Sequence, residues 1–273
     1  MTHIALYGHQ IANEHLRNML RYGRFDAVVY IPFIGKEIDP LTWSHRPKHT
    51  KSILYMFNDD WRFDSFSAEA CWYFDIVATD YEPAVDRYHT INYPGTVIHT
   101  HRTCRPEWFG WGANKNRNID VSFVGQFYRD RAQHVDAILS RLSPDYTCYS
   151  AGTGRGRVSW IKYVHTATHS KIMLCPSHAS TGDSLQVKVR HFEAVAAGAL
   201  MLTDNPVIDR YFSVGSECGI YGSVDDAVAT IKYFLRNDQA RDGVVSAAGD
   251  RMLREGYANR RHFEILMGAV CRL

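Results

Sequence analysis

Short apolar runs recur along the chain, and stretches with helical periodicity separate them. "HIALYG", "DAVVYIP", "SILYMF", "FDIVAT" and "GTVIHT" read as five strands in the first part of the chain. Residues 11–22 read as a helix with Ile11, Leu16, Met19 and Leu20 on one side, and helical patterns also fall near 65–73 and 82–89. A second series begins at residue 119. "DVSFVG", "YTCYSAG", "SKIMLCPS", "ALMLTDN" and "CGIYG" read as strands, and 131–142, 188–197, a Ser223-capped helix to Arg236, 238–254 and 258–271 read as helices. Alternation of this kind builds parallel sheets covered by helices. The expected class is therefore α/β, with two Rossmann-like domains facing each other across a cleft. Residues 1–112 form the first domain and 119–256 the second. Residues 113–118 link them, at the end of the aperiodic segment "HRTCRPEWFGWGANKNRN". The closing segment is 257–273.

Several classes of protein are excluded. No apolar run reaches the ~18 residues of a membrane span. The opening "MTHIALYGHQ" has no basic stretch followed by an apolar one, so a cytoplasmic location is expected rather than secretion. The six Cys form no CxxC pair, which fits free thiols in a reducing compartment. A net charge of +2 points to no polyanionic partner by itself. The groups His99, His101, Cys104 and Cys175, His178 match no standard zinc spacing, so no metal site is expected.

The segment "VKVRHFEAVAAGALMLTDN", 187–205, places Lys188, Arg190, His191 and Glu193 directly before a core-like apolar run. Either this charge is solvated or something charged docks there, because an unpaired buried ion costs several kcal/mol. A helix N-terminus carries about half a positive charge and free N–H groups, so with Lys188 and Arg190 it suits a diphosphate. The preceding "STGDS", with Gly182, Asp183 and Ser184, allows close backbone approach. Glu193, one turn further on, is placed to accept the two hydroxyls of a ribose.

"VRHFEAVAAGALMLTDN", "DVSFVGQFYRDR", "WIKYVHTATHSKIMLCPS" and "SVDDAVATIKYFLRN" together resemble the donor domain of GT-B glycosyltransferases of the CgeB-like kind. "LYMFNDDWRFDSF", "FVGQFYRDR" and "VRHFEAVAAGALML" are similar to blocks of phage DNA β-glucosyltransferases. The resemblance implies that Glu193 holds the ribose of UDP and that Arg190 contacts the nucleotide or its diphosphate. In the loop after Gly125, it implies that Arg129 and Arg131 neutralise the departing diphosphate. A divalent metal is not required on this reading, and no cofactor is tightly bound. The final helix is expected to return to the first domain. Position 185 is Leu, so the second Glu found eight residues earlier in the larger GT-B group is missing.

On the acceptor side, "YMFNDDW" sets Asn58, Asp59, Asp60 and Trp61 where a strand ends. By the phage-enzyme likeness Asp59 matches the catalytic base, with Asp60 second, and Asn58, Trp61 and His9 are candidate acceptor or sugar contacts. Asn and Asp also favour turns and caps for structural reasons. "GTGRGR" lacks the Lys-Ser/Thr of a P-loop, and its arginines are either ligand contacts or solvated. The basic stretch 44–51 and the aromatic connector suit nucleic acid. The expected activity is transfer of a sugar from a UDP-sugar to a hydroxyl, with a hydroxymethyl pyrimidine of DNA preferred, as in bacteriophage DNA modification in the host cytoplasm. A bacterial glycan or coat saccharide is the alternative acceptor, and a non-catalytic nucleotide- or nucleic-acid-binding module the alternative of another class.

Overall fold

A computed structural model describes residues 2–32, 39–128, 130–143, 145–178, 184–257 and 259–272. The chain divides into two compact units, residues 1–101 with 262–273, and residues 102–261.

The first unit opens with α1 (Thr2–Tyr22), then β1 (Ala27–Tyr30) and β2 (Lys51–Met56). Helical turns follow, α2 (Asp59–Arg62) and α3 (Ala68–Ala70), before β3 (Ile76–Thr79), α4 (Pro83–Thr90) and β4 (Thr96–His99). The four strands are parallel in the order β1-β2-β3-β4. The first expected strand is not formed, because "HIALYG" lies inside α1. A short apolar run bounded by one glycine fits either state, and the helical spacing that continues through Leu20 extends it as one long helix. His9 therefore lies within a helix and not at a strand's end, and its side chain is outside the described residues.

The period-two rule sorts the strands of this unit into two layers. Leu54, Met56 and Val77 pack on one face with Leu20, Phe63 and Tyr88. Ile53, Tyr55, Ile76 and Ala78 pack on the other with Leu266 and Ala269. Those last two belong to α10 (Asn259–Val270), so the end of the chain completes the first unit's core.

The second unit contains β5 (Ile119–Val124), α5 (Arg131–Leu142), β6 (Cys148–Ala151), α6 (Trp160–His169), β7 (Ser170–Cys175), α7 (Val189–Ala196), β8 (Leu200–Thr203), β9 (Gly219–Ile220), α8 (Val224–Arg236) and α9 (Asp238–Glu255). Its strands are parallel in the order β6-β5-β7-β8-β9. Ile172, Leu174, Leu200 and Leu202 face α5 and α8, while Met173, Cys175 and Met201 face α7 and α9. Each fully buried Leu, Ile or Phe contributes about 1.5–3 kcal/mol. Ser159 and Ser223 cap α6 and α8 by accepting the N–H groups of Lys162 and Asp226. The aromatic segment of the connector is not an open linker. It forms a short helical turn, Pro106–Gly112, whose Phe109 is buried in this unit's core.

Candidate functional site

The strand order of the second unit reverses direction at β5 and β7. In open parallel sheets, ligands bind beyond the carboxyl ends of the strands at such a switch point. The loop after β5, the segment after β7 and the N-terminus of α7 meet there. Lys188 stands at the N-cap of α7, and Arg190 and Glu193 lie three residues apart on one face of the helix.

His191 explains how a charged opening joins a buried helix. Its ring is fully buried, and burial pushes its pKa down to about 3, so it is neutral. Nδ1 accepts the Lys188 N–H at 3.0 Å, which leaves Nε2–H to donate to Thr203 Oγ1 at 2.9 Å. Thr203 in turn donates to the Cys175 carbonyl. The imidazole thus clips the first turn of α7 to β7 and β8, and the true charges point elsewhere.

Those charges form a positive cluster, on which Asp204 and Glu193 act as carboxylates among the described residues. Arg190 lies over the Phe123 ring, 4.8 Å from its centroid. Its Nε and Nη1 are buried with no hydrogen-bond partner among the described residues. Arg131 is buried at the start of α5, with its guanidinium 4.1 Å from the Tyr128 ring centroid. It donates to the carbonyls of Gln126 and His178, and its Nε has no partner among the described residues. Lys188 Nζ donates to the Tyr128 hydroxyl at 2.7 Å and to the His178 carbonyl at 2.6 Å. Burial, then Arg131, Arg190 and Arg102, hold its pKa down to about 6.

Two glycines make room for this cluster. A Cβ on Gly125 would lie 2.1 Å from Arg190 Nη2. A Cβ on Gly152, in the loop after β6, would lie 1.6 Å from the Gly125 carbonyl oxygen.

Glu193 lies beside the cations. Its Oε2 accepts the Tyr163 hydroxyl, and among the described residues its Oε1 accepts nothing. Burial raises its pKa, against which the Tyr163 bond and Arg190 pull down. Asp204, just past β8, accepts the N–H and hydroxyl of Ser177 and so ties down the start of the segment after β7. A cationic cluster with the Glu193 carboxylate three residues along the helix from Arg190 suits a diphosphate attached to a vicinal diol.

The structure thus brings together Gly125, Arg131, Lys188, Arg190 and Glu193. Ser184 is partly buried near this edge, where its neighbour Leu185 bridges to His178. Arg129, Gly182 and Asp183 lie outside the described residues. Sequence reasoning missed Tyr128 and Tyr163. Both lie in segments already matched to the donor domain, but a lone Tyr in a strand loop or a helix carries no signal of its partner. Arg155 of the glycine-rich loop is turned aside, since it pairs with Asp136 and lies 4.2 Å from the Phe127 ring centroid.

In the first unit Asp59 departs from its expected role. Its side chain is fully buried, with Oδ1 accepting the Ser67 hydroxyl at 2.5 Å and Oδ2 the Tyr88 hydroxyl at 2.8 Å. Burial raises its pKa. Both oxygens are occupied inside the core, so Asp59 does not present a base at the rim. Asp60 is half-buried and Trp61 is 41% exposed. Asn58 adopts a left-handed conformation (φ 63°) that ends β2, and its N–H donates to Asp80 Oδ1 at 2.9 Å. Among the described residues no group of three His, Cys, Asp or Glu is placed to hold a metal ion, and no helix is long and apolar enough to cross a membrane.

The model of the glycosyl transferase-like family matches residues 113–267, more than half of the chain, and the chain belongs to that family. No curated protein matches the sequence. Anabaena HepE, solved in complex with UDP, is similar in structure with a TM-score of 0.65 at 10% identity, over 97% of this chain and 82% of that one. Accessory secretory protein 1, 2 and 3 of Streptococcus pneumoniae gives 0.63 at 9% identity, over 96% and 57%. A variant of TarM from S. aureus, in complex with fondaparinux, α-GlcNAc-glycerol and UDP, gives 0.62 at 10%, over 93% and 58%. The chain therefore spans a little over half the length of the Streptococcus and S. aureus proteins. These likenesses show the fold, GT-B with its two parallel sheets. They do not separate a CgeB-like or phage-DNA group within the family.

Proposed function

We propose that the protein is a glycosyltransferase that takes a UDP-sugar on its second unit and passes the sugar to a saccharide hydroxyl. The observation that carries this reading is Arg190, whose buried Nε and Nη1 have no partner among the described residues and lie beside Arg131 and Lys188. Such a cluster costs several kcal/mol unless an anion neutralises it. The diphosphate lies against the N-terminus of α7 and these three cations, and Glu193 Oε1 accepts the ribose hydroxyls. In the reaction the bond from sugar C1 to the diphosphate oxygen breaks and its electron pair leaves with UDP. The acceptor oxygen forms the new bond to C1 and gives its proton to a base. Preorganised cations favour this step because negative charge grows on the leaving diphosphate. With Asp59 sealed in the core, Asp60 is the candidate base.

The presence of UDP in the HepE and TarM structures supports the choice of nucleotide. A saccharide acceptor is favoured over DNA by the likeness to TarM, solved with fondaparinux and α-GlcNAc-glycerol, while the connector itself keeps Trp108 and Trp111 51% and 44% exposed. Phe109 is buried, and Trp108 packs against Trp160 at 5.2 Å between centroids. The test is release of UDP from UDP-glucose and UDP-GlcNAc with saccharide acceptors, plain DNA and hydroxymethylated DNA. Turnover with a saccharide, lost in Asp60→Asn while UDP still binds, is expected. Turnover with hydroxymethylated DNA alone would replace the acceptor, and tight UDP binding without any turnover would leave a nucleotide-binding module.

A further inference from the structure

A cavity of about 660 Å³ opens in the second unit at the edge of its sheet opposite the Arg190 cluster, by the amino ends of β7 and β8. Trp111, Lys115, Ser246, Gly249 and Asp250 line it. We propose that this cavity is a saccharide subsite, separate from the nucleotide site. The glycosyltransferase reading bears only on why a saccharide is the ligand.

Trp111 is held at φ 50° and ψ 38°, a left-handed conformation that a bulky residue adopts only under constraint. The constraint is visible. Gly110 and Gly112 flank it at φ 64° and 69°, and Gly112 backs onto Gly198 so closely that a Cβ on Gly198 would lie 2.7 Å from the Gly112 Cα. The indole so placed is 44% exposed and makes no ring contact or hydrogen bond among the described residues. On the facing wall Gly249 lies inside the 18-residue helix α9, where glycine is a poor helix former. A Cβ there meets nothing within 4 Å, so a side chain would enter the cavity. Two residues that cost stability thus shape the same space.

Charge decides the ligand class. Arg117 donates to the carbonyls of Thr168, Ser170 and Ala197, Lys171 pairs with Asp120, and Arg241 pairs with Asp238 and Asp242. With Lys115 and Asp250, and with the partners Asp120 and Asp238 counted, four cations meet four carboxylates around the cavity. Unlike the cluster around Arg190, this cavity holds no surplus cation for a phosphate. A flat aromatic face with a hydroxyl, a carboxylate and an ammonium around it suits a neutral polyhydroxyl ring, which stacks its C–H face on the indole and hydrogen-bonds at its rim.

The test titrates the full chain with maltotetraose, cellotetraose and chitotetraose, following tryptophan fluorescence and saturation-transfer NMR, with UDP calorimetry in parallel. At least one tetrasaccharide is expected to bind with a Kd near ~1 mM. Trp111→Asn and Gly249→Leu should each weaken that binding at least tenfold and leave UDP affinity unchanged. Asn tolerates the left-handed conformation, so Trp111→Asn should not lower Tm, whereas a purely structural Trp111 would be missed on melting. The proposal is overturned if none of the three binds at ~10 mM, or if both variants bind as the parent does. Failure of UDP to bind would strike the nucleotide site alone.

Discussion

Lys188 should change its protonation when a diphosphate arrives. In the free protein its pKa is about 6, so near neutrality the amine is mostly uncharged. A bound diphosphate raises that value, and UDP affinity should therefore fall with rising pH above ~6, approaching tenfold per unit until the bound pKa is passed. Calorimetry at pH ~7.5 in two buffers of different ionisation enthalpy should show uptake of nearly one proton. Lys188→Met should abolish that uptake, weaken UDP binding and raise the Tm of the free protein, since a buried amine is removed. No uptake in the parent protein would contradict this. Asp59 makes a prediction of another kind. Its folded pKa is raised above the ordinary 3.8, so the folded state holds the proton more tightly and stability is lost as pH rises through the raised value. Asp59→Asn removes that loss and should leave turnover within about twofold, whereas Asp59→Ala strands two buried hydroxyls at ~1–3 kcal/mol each. A kcat fall of orders of magnitude in the Asn variant would restore Asp59 as the base. The sequence marked both neighbouring acids, Asp59 and Asp60, but which one turns inward depends on the phase of the turn after β2, and no residue type encodes that. Glu193 and Arg190 stand out in the sequence because charge before a core run is anomalous, and their contact with a nucleotide is the proposal that the resemblance implies.

At the scale of elements, three neighbours fix the first turn of α7, which suits it to the ligand platform proposed for it. His191 ties it to β7 and β8, Phe123 of β5 supports Arg190, and Gly125 leaves the space in which Arg190 lies. Gly125→Ala adds one methyl where the guanidinium is, and Gly125 has no left-handed backbone to strain. The expected outcome is UDP affinity lowered at least tenfold, about 1.4 kcal/mol, with Tm nearly unchanged, checked by calorimetry and thermal melts. Unchanged affinity would remove Arg190 from contact with the nucleotide. The strands and helices of the second unit follow closely from period and caps, since Ser223, the alternation in β7 and β8, and the apolar face of α5 all agree. The start of the first unit is a helix where a strand is expected, because an isolated apolar hexamer carries no length signal. His191 stands among charged residues in the sequence, and only its burial makes it neutral.

At the scale of the whole molecule, each unit carries its own core and its own sheet, and the chain returns to the first unit through Leu266 and Ala269 of α10. The segment from Cys104 to Phe109 packs into the second unit, although its composition reads as a connector. Composition reports what a segment can tolerate, while its location depends on long-range partners such as Ala197 and Tyr163 that spacing does not reveal. The proposed function places nucleotide recognition on residues of the second unit alone. Calorimetric titration of UDP into the parent protein, Arg190→Ala and Glu193→Ala tests that assignment most directly. Micromolar binding by the parent, with a loss of tenfold or more in each variant at unchanged Tm, is the expected result. Equal affinity in all three, or no binding by the parent, would contradict it.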